Sequence, residues 1–272
     1  MNAGVTLKLQ DGTLFELEQP PAGAGDSYFL VGLPKAGSTL FFKIMAPIAK
    51  NSGASWFSLA NTLHQKGVGF DKIEAGLDDV FRPSGYAYGG FRGVPKGVEL
   101  PAFAKGRTVG LVRDPRDMLS SLYFSEGISH RPPGAEVSTD LREEFDERRR
   151  FAQSTGIDAF ALGRASRLTA VYRRAMRQMD QAEAKLFRYE DVVFEKERWI
   201  REVCDHLSID VKWNVAKNII ARNDVVRNDE APKDHIRRVA PGDHKEKFAP
   251  ETIAALNEEF RDILDRFGYE AG

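Results

Sequence analysis

Nine residues, Val31 to Thr39 (VGLPKAGST), constrain this chain more than any other stretch. The apolar run before them, Tyr28 to Leu33, reads as a buried strand. The run after them, LFFKIMAPIA, is apolar and periodic, and it predicts a helix opening at Ser38 or Thr39. Strand, glycine-bearing loop and helix are the layout of an anion cradle, because backbone N–H groups and the helix N-terminus then face the same point. Gly32 and Gly37 stand at the spacing of the G-x-x-x-x-G-K-[ST] phosphate loop. In that loop a lysine follows the second glycine. Here Ser38 stands there, and the lysine lies inside the loop as Lys35.

The surrounding chain suits one α/β domain. It has 272 residues, of which 42% are hydrophobic and 29% charged, enough for a sizeable core. A net charge of -1 argues against general nucleic-acid binding. The single cysteine, Cys204, has no metal-ligand company and excludes an internal disulfide, which fits a reducing compartment. No stretch approaches the ~20 apolar residues of a membrane span. The first residues, MNAGVTLKLQDGT, lack the layout of a signal peptide. These features predict a soluble, cytoplasmic protein with no metal.

Along the chain, residues 5–18 read as a hairpin around Asp11-Gly12, and residues 19–26 as a connector. Residues 52–92 carry Trp56, Phe57, Tyr86, Tyr88 and Phe91 without a clear period. They suit either a ligand pocket or, as the blander reading, a packed core. Thr108 to Val112 read as a second buried strand. RDPRDMLSSLYFS follows, polar at the strand end and then helical, where α/β sheets bind ligands. A charged helix is expected near DLREEFDERRR, whose arginines read as a solvated face. Further helices are expected over 158–182 and 196–207, with a third strand at 184–187 between them. The apolar stripe Ile253, Leu256, Phe260, Ile263, Leu264, Phe267 predicts one final helix, capped by Gly268.

Three separated segments have the character of anion readers: Lys35, Arg113 with Ser121, and Arg237 with Arg238. Arginine suits phosphate because its planar fork donates two hydrogen bonds at once. In this arrangement the chain resembles the sulfotransferases that use 3′-phosphoadenylyl sulfate (PAPS). The family's 5′-phosphosulfate pattern P-K-S-G-T-T-W is matched by Pro34-Lys35-Ala36-Gly37-Ser38-Thr39-Leu40. Its strand-end arginine with a serine eight residues on is matched by Arg113 and Ser121. Its Y-E-D segment is matched by Tyr189-Glu190-Asp191. Its R-K-G-x-x-G-D-W-K-N-H-F segment is matched by Arg237, Arg238, Gly242, Asp243, Lys245 and Phe248. Departures are Leu40 and His244, each at a tryptophan position, and Val239 at a glycine position.

The resemblance implies an α/β fold like that of P-loop kinases, a central parallel sheet flanked by helices with the small N-terminal hairpin added. It also implies a single sulfotransferase domain over 1–272, with hairpin and connector over 1–26 and catalytic core over 27–272. The implied reaction moves a sulfuryl group from PAPS to a hydroxyl or amine of a small-molecule or glycan acceptor and releases PAP. Nucleotide contacts are then expected from Lys35, Ala36, Gly37, Ser38, Thr39, Arg113, Ser121, Tyr189, Arg237 and Arg238. Lys35 would also stabilise the leaving oxygen. The family's basic histidine, in K-T-H-L-P, falls on Gly93, which cannot take a proton. His130 is the favoured replacement for a base near neutral pH, ahead of Glu126 and His64. A P-loop kinase and a non-catalytic nucleotide-binding protein are the alternatives.

Overall fold

The computed structural model describes residues 3–129, 139–224 and 241–270. In chain order the elements are β1 (Ala3–Leu9), β2 (Leu14–Gln19), β3 (Tyr28–Gly32), α1 (Ser38–Asn51), β4 (Ser55–Phe57), α2 (Leu59–Gln65), β5 (Ile73–Ala75), β6 (Tyr86–Phe91) and β7 (Thr108–Val112). There follow α3 (Pro115–Phe124), a π-helical turn (Ser125–Ser129), α4 (Thr139–Ser154), α5 (Ile157–Gln181), β8 (Lys185–Arg188), α6 (Tyr189–Val192), α7 (Lys196–Leu207) and α8 (Trp213–Arg222). The last are α9 (Asp243–Lys247), α10 (Pro250–Glu259) and α11 (Arg261–Phe267). The residues divide into two compact units, interleaved along the chain.

The first unit comprises Met1–Val112, Arg174–Phe187 and Phe194–Asp224. Its main sheet has five strands in the order β4-β6-β3-β7-β8. β3 runs parallel to both β6 and β7, and β4 runs parallel to β6. Every residue of β3, β6 and β7 is buried, which is why they read as continuous apolar runs rather than alternating ones. α1 and α7 pack side chains together, with Phe41 stacked on Trp199 at 5.0 Å. The expected hairpin is present, with Val5 opposite Leu17. Its turn is set by Gly12 at φ 84 and by the Asp11 carboxylate, which accepts the Thr13 N–H at 2.9 Å.

Residues 52–92 hold what periodicity could not place. β5 adds a third strand to the hairpin, antiparallel to β1. β6 is a central strand whose sequence, YAYGGF, carries two glycines. The register against β3 slips beside those glycines, and Gly90 takes φ 82. An interrupted strand of this kind leaves no clean period. Phe57, Tyr86, Tyr88 and Phe91 are core residues, and Tyr88 lies stacked on Phe29 at 4.9 Å. The Tyr88 hydroxyl is spent on backbone, accepting from Arg82 N–H at 2.7 Å and donating to Val80 O at 3.1 Å. The packing reading therefore accounts for these four aromatics.

The second unit comprises Arg113–Arg173, Arg188–Val193 and Val225–Gly272. α3 begins at Pro115, and the Asp114 side chain caps it by accepting the Arg116 N–H at 2.9 Å. The C-terminal stripe is not one helix, as the spacing predicts, but two, α10 and α11, divided at Phe260. Phe260 stands at φ -101, ψ 11, and the break keeps Leu256, Phe260, Ile263 and Leu264 all buried. Gly268 closes the second helix in the left-handed region at φ 62, as expected.

Candidate active site

The loop after β3 has the geometry that its glycines demand. A Cβ on Gly32 would stand 2.6 Å from the Ser38 Cβ and 3.1 Å from the Ser38 Cα. Only glycine lets the start of α1 fold back so closely over the strand end. The turn is carried by Lys35 at φ 59 and Gly37 at φ 82, both left-handed. Glycine holds that conformation freely, whereas lysine pays about 1–2 kcal/mol for it. Strain of this kind persists where the side chain or the loop shape is needed. Gly37 is the N-cap of α1, which has no side-chain cap and no acidic residue in its first turn. Its first N–H groups stand at the positive end of the helix dipole. Ala36 and Ser38 are buried, and Lys35, Gly37 and Thr39 are half-buried.

The Gly93 N–H donates to the Gly32 carbonyl at 3.0 Å, beside the cradle. Gly93 takes φ 84, so an L-residue there is strained as well as absent. β3 and β7 run side by side with Gly32 opposite Leu111, and the Leu33 N–H donates to the Leu111 carbonyl at 2.9 Å. Arg113 is the next residue but one after Leu111.

Arg113 sits in a buried polar cluster of the second unit. Its guanidinium carbon lies 4.5 Å from the centroid of the Tyr189 ring, a cation–π contact. Its Nη2 stands 3.5 Å from Asp117 Oδ2. Burial opposes its charge, but Asp117, Tyr189, Glu190 and Asp243 outweigh burial and raise its pKa further. Asp117 is fully buried and well supplied with donors. Oδ2 accepts the Gly242 N–H at 2.7 Å, and Oδ1 accepts the His244 N–H at 3.0 Å and lies 2.6 Å from His244 Nδ1. Burial pushes the Asp117 carboxyl up. The His244 side chain, the Arg113 charge and the His244 N–H together prevail and hold it well below the usual carboxylate range.

The other half of RDPRD does structural work. Arg116, 1% exposed, pairs bidentately with Asp114 at 3.0 and 2.7 Å. It also donates to Asn257 Oδ1 at 2.6 Å and to the Glu270 carbonyl at 2.8 Å. Glu190 accepts the Asp114 N–H at 2.9 Å and the Tyr269 hydroxyl at 3.1 Å. Burial raises its pKa, against the Asp114 N–H. These bonds seat the Tyr189-Glu190-Asp191 segment against the start of α3.

Of the expected site residues, Arg113 and Tyr189 are in contact. Ser121, half-buried, follows Asp117 by one turn of α3, on the same stripe of that helix. His130, Arg237 and Arg238 lie outside the described residues. Glu126 is in the π-helical turn, paired with Arg164 at 3.3 Å, which occupies it as an ion-pair partner. His64 is exposed in the last turn of α2. His244 was not singled out by sequence reasoning. Its only signal there was a histidine at a tryptophan position.

No family model matches the chain, and no curated protein matches it. Solved structures do. One is a mouse sulfotransferase, SULT7A1, complexed with PAP: 15% identity, TM-score 0.57, over 88% of this chain and 84% of that one. Another is retinol dehydratase in a complex with retinol and PAP: 13% identity, TM-score 0.52, over 88% of this chain and 81% of that one. The chain thus has the α/β fold of these PAP-bound proteins, its five-stranded parallel sheet flanked by helices and preceded by an antiparallel hairpin.

Proposed function

We propose that the protein is a PAPS-dependent sulfotransferase, acting on a hydroxyl or amine of a small-molecule or glycan acceptor, in a single domain of the cytoplasm. The observation that carries the reading is Lys35. A lysine held at φ 59 inside a strand-to-helix loop is strained, and its position suits a group that meets negative charge building on a bridging oxygen rather than one that grips a triphosphate. Gly32 supports the fit of the cradle, since a Cβ there would fill the space that the loop needs.

In this reading the loop N–H groups of residues 35–39 hold the 5′-phosphosulfate, and Arg113, Ser121, Arg237 and Arg238 read the 3′-phosphate. Tyr189 serves as the platform on which Arg113 lies. The acceptor oxygen or nitrogen forms a bond to sulfur as the bond from sulfur to the phosphate oxygen breaks. The electron pair of that bond stays on PAP, where Lys35 meets the developing charge. The acceptor proton passes to a base. His130 remains the proposed base: Glu126 is engaged by Arg164, and Gly93 has no side chain.

The retinol and PAP bound by one structural neighbour support a small organic acceptor as the first to try. The test is calorimetry with PAP, ADP and ATP, followed by PAP release from PAPS with alcohols, phenols and amines. PAP should bind better than ADP, since a charge-assisted hydrogen bond contributes about 1.5–3 kcal/mol. Arg113→Ala should remove most of that preference. Preference for ATP over PAP would return the kinase reading, and PAP binding without turnover on any acceptor would return the non-catalytic one.

A further inference from the structure

We propose that Trp56, paired with Phe42, determines acceptor specificity: the two rings form a platform for a flat ring system, so the acceptor is an aromatic alcohol or amine rather than a saturated one or a sugar. The inference rests on the sulfotransferase reading and names the substrate class within it.

Trp56 is the aromatic of residues 52–92 that core packing does not absorb. Side chains alternate across a strand, so Trp56 and Phe57 stand on opposite faces of β4. Phe57 is buried and meets Tyr88 edge-on, with ring centroids 6.3 Å apart. Trp56, on the other face, is half-buried. Its register partner on β6 is Ala87, and Gly89 follows two residues on. β6 thus gives its large side chains, Tyr86 and Tyr88, to one face and its small residues to the face beneath Trp56. The indole takes up that space. A Cβ on Gly89 would run into Trp56 Cη2 and Cζ2, at the outer edge of the six-membered ring.

Phe42 repeats the arrangement one strand over. It follows Ser38 by one turn of α1, on the same stripe, and its Cζ lies 3.7 Å from the Cβ position of Gly32. The Phe42 and Trp56 centroids are 6.1 Å apart, with the planes tilted by 54°. β3 and β6 are parallel neighbours, and Gly32 and Gly89 stand toward their carboxyl ends. That is the edge at which such sheets bind ligands. Gly32 also opens the loop that carries Lys35. Two rings are therefore seated by their outer edges on strand-end glycines, beside the lysine assigned to the leaving oxygen. Core packing closes over a ring from all sides, whereas both of these are half-buried and keep part of their surface open. An acceptor that brings its hydroxyl or amine to sulfur at this loop has the rings beside it. Tilted aromatic surfaces hold another flat ring through offset and edge-to-face contacts, which a puckered ring cannot match. A sugar's hydroxyls would lose their water against the same carbon surface without partners in return.

The test uses the full chain saturated with PAP. It is titrated by calorimetry with 2-naphthol, with 2-decalol (the same skeleton, saturated) and with methyl β-glucoside, the melting temperature serving as folding control. The wild type should hold 2-naphthol about tenfold tighter than 2-decalol, and tighter than the glucoside. Trp56→Leu should bring the two alcohols within about threefold of each other, whereas Trp56→Phe, which keeps a ring over Gly89, should retain most of the preference. A wild type that binds both alcohols equally, or the glucoside best, overturns the proposal, as does a Trp56→Leu protein with the full preference. A wild type that does not bind PAP is a different result: it overturns the sulfotransferase reading and the proposal with it. Should Trp56→Leu not fold, the three assigned indole N–H signals of the wild type decide. Adding 2-naphthol to the PAP complex should shift the Trp56 signal and leave those of Trp199 and Trp213 in place. A Trp56 signal that does not move overturns the proposal.

Discussion

Replacing Lys35 separates the worth of its side chain from the cost of its backbone. At φ 59 the residue stands in the middle of the left-handed well. An L-residue there is disfavoured by about 1–2 kcal/mol, and glycine escapes that cost but loses roughly 0.5–1 kcal/mol more backbone entropy on folding. Lys35→Gly and Lys35→Ala lose the same side-chain interactions, so their difference isolates the backbone. The balance favours Lys35→Gly over Lys35→Ala by about 0.5–1 kcal/mol. Urea unfolding of both variants measures it, and PAP release in the presence of an accepted alcohol measures turnover. Both variants should turn over about 10²–10³ more slowly than the wild type, the loss typical of one preorganised donor. An alanine variant as stable as the glycine variant would refute the strained backbone. Near-wild-type turnover by either variant would refute the role given to the lysine, whatever the stability result.

Two further perturbations probe the remaining parts. In Gly32→Ala the new Cβ meets Ser38 at 2.6 Å, where carbon atoms prefer about 3.5–4.0 Å. The loop must move by about 1 Å, so stability should fall by about 1–3 kcal/mol and turnover by about 10², whereas Gly156→Ala, with open space around its Cβ position, should change neither. Asp117→Asn should cost about 3–5 kcal/mol at neutral pH, because it removes one buried partner charge of Arg113 and the acceptor of the Gly242 and His244 N–H groups. The native Asp117 pKa lies below that of the unfolded chain, so its stabilisation is present above about pH 4 and lost as pH falls further. The gap between wild type and variant should therefore narrow on acidification. A gap that is constant between pH 7 and pH 3 in urea unfolding would show that the carboxylate is not held ionised.

What could be read from the chain alone was local. Val31 to Thr39 carry strand, turn and helix within a dozen residues, and each signal there (an apolar run, glycines at fixed offsets, a helix start) is short-range. The same holds for the hairpin at Asp11-Gly12, for Pro115 at the start of α3 and for Gly268 at the end of α11. β6 was illegible because Gly89 and Gly90 erase its period, and the break at Phe260 because both helices use the same apolar stripe. The pairing of charges was out of reach for a different reason. RDPRD offers each arginine two aspartates, and nothing in its spacing says that Arg116 takes Asp114 while Arg113 faces Asp117. That choice is made by partners far along the chain: Asn257 and Glu270 for Arg116, and Gly242 and His244 for Asp117. A histidine 127 residues away from its carboxylate has no sequence period to announce it. The sequence by itself determined the strand, left-handed turn and helix start around Lys35, which depend on backbone and nearest neighbours. Only the tertiary structure decided how the buried charges are shared, because desolvation makes every unpaired donor costly and the fold alone says which donors are within reach.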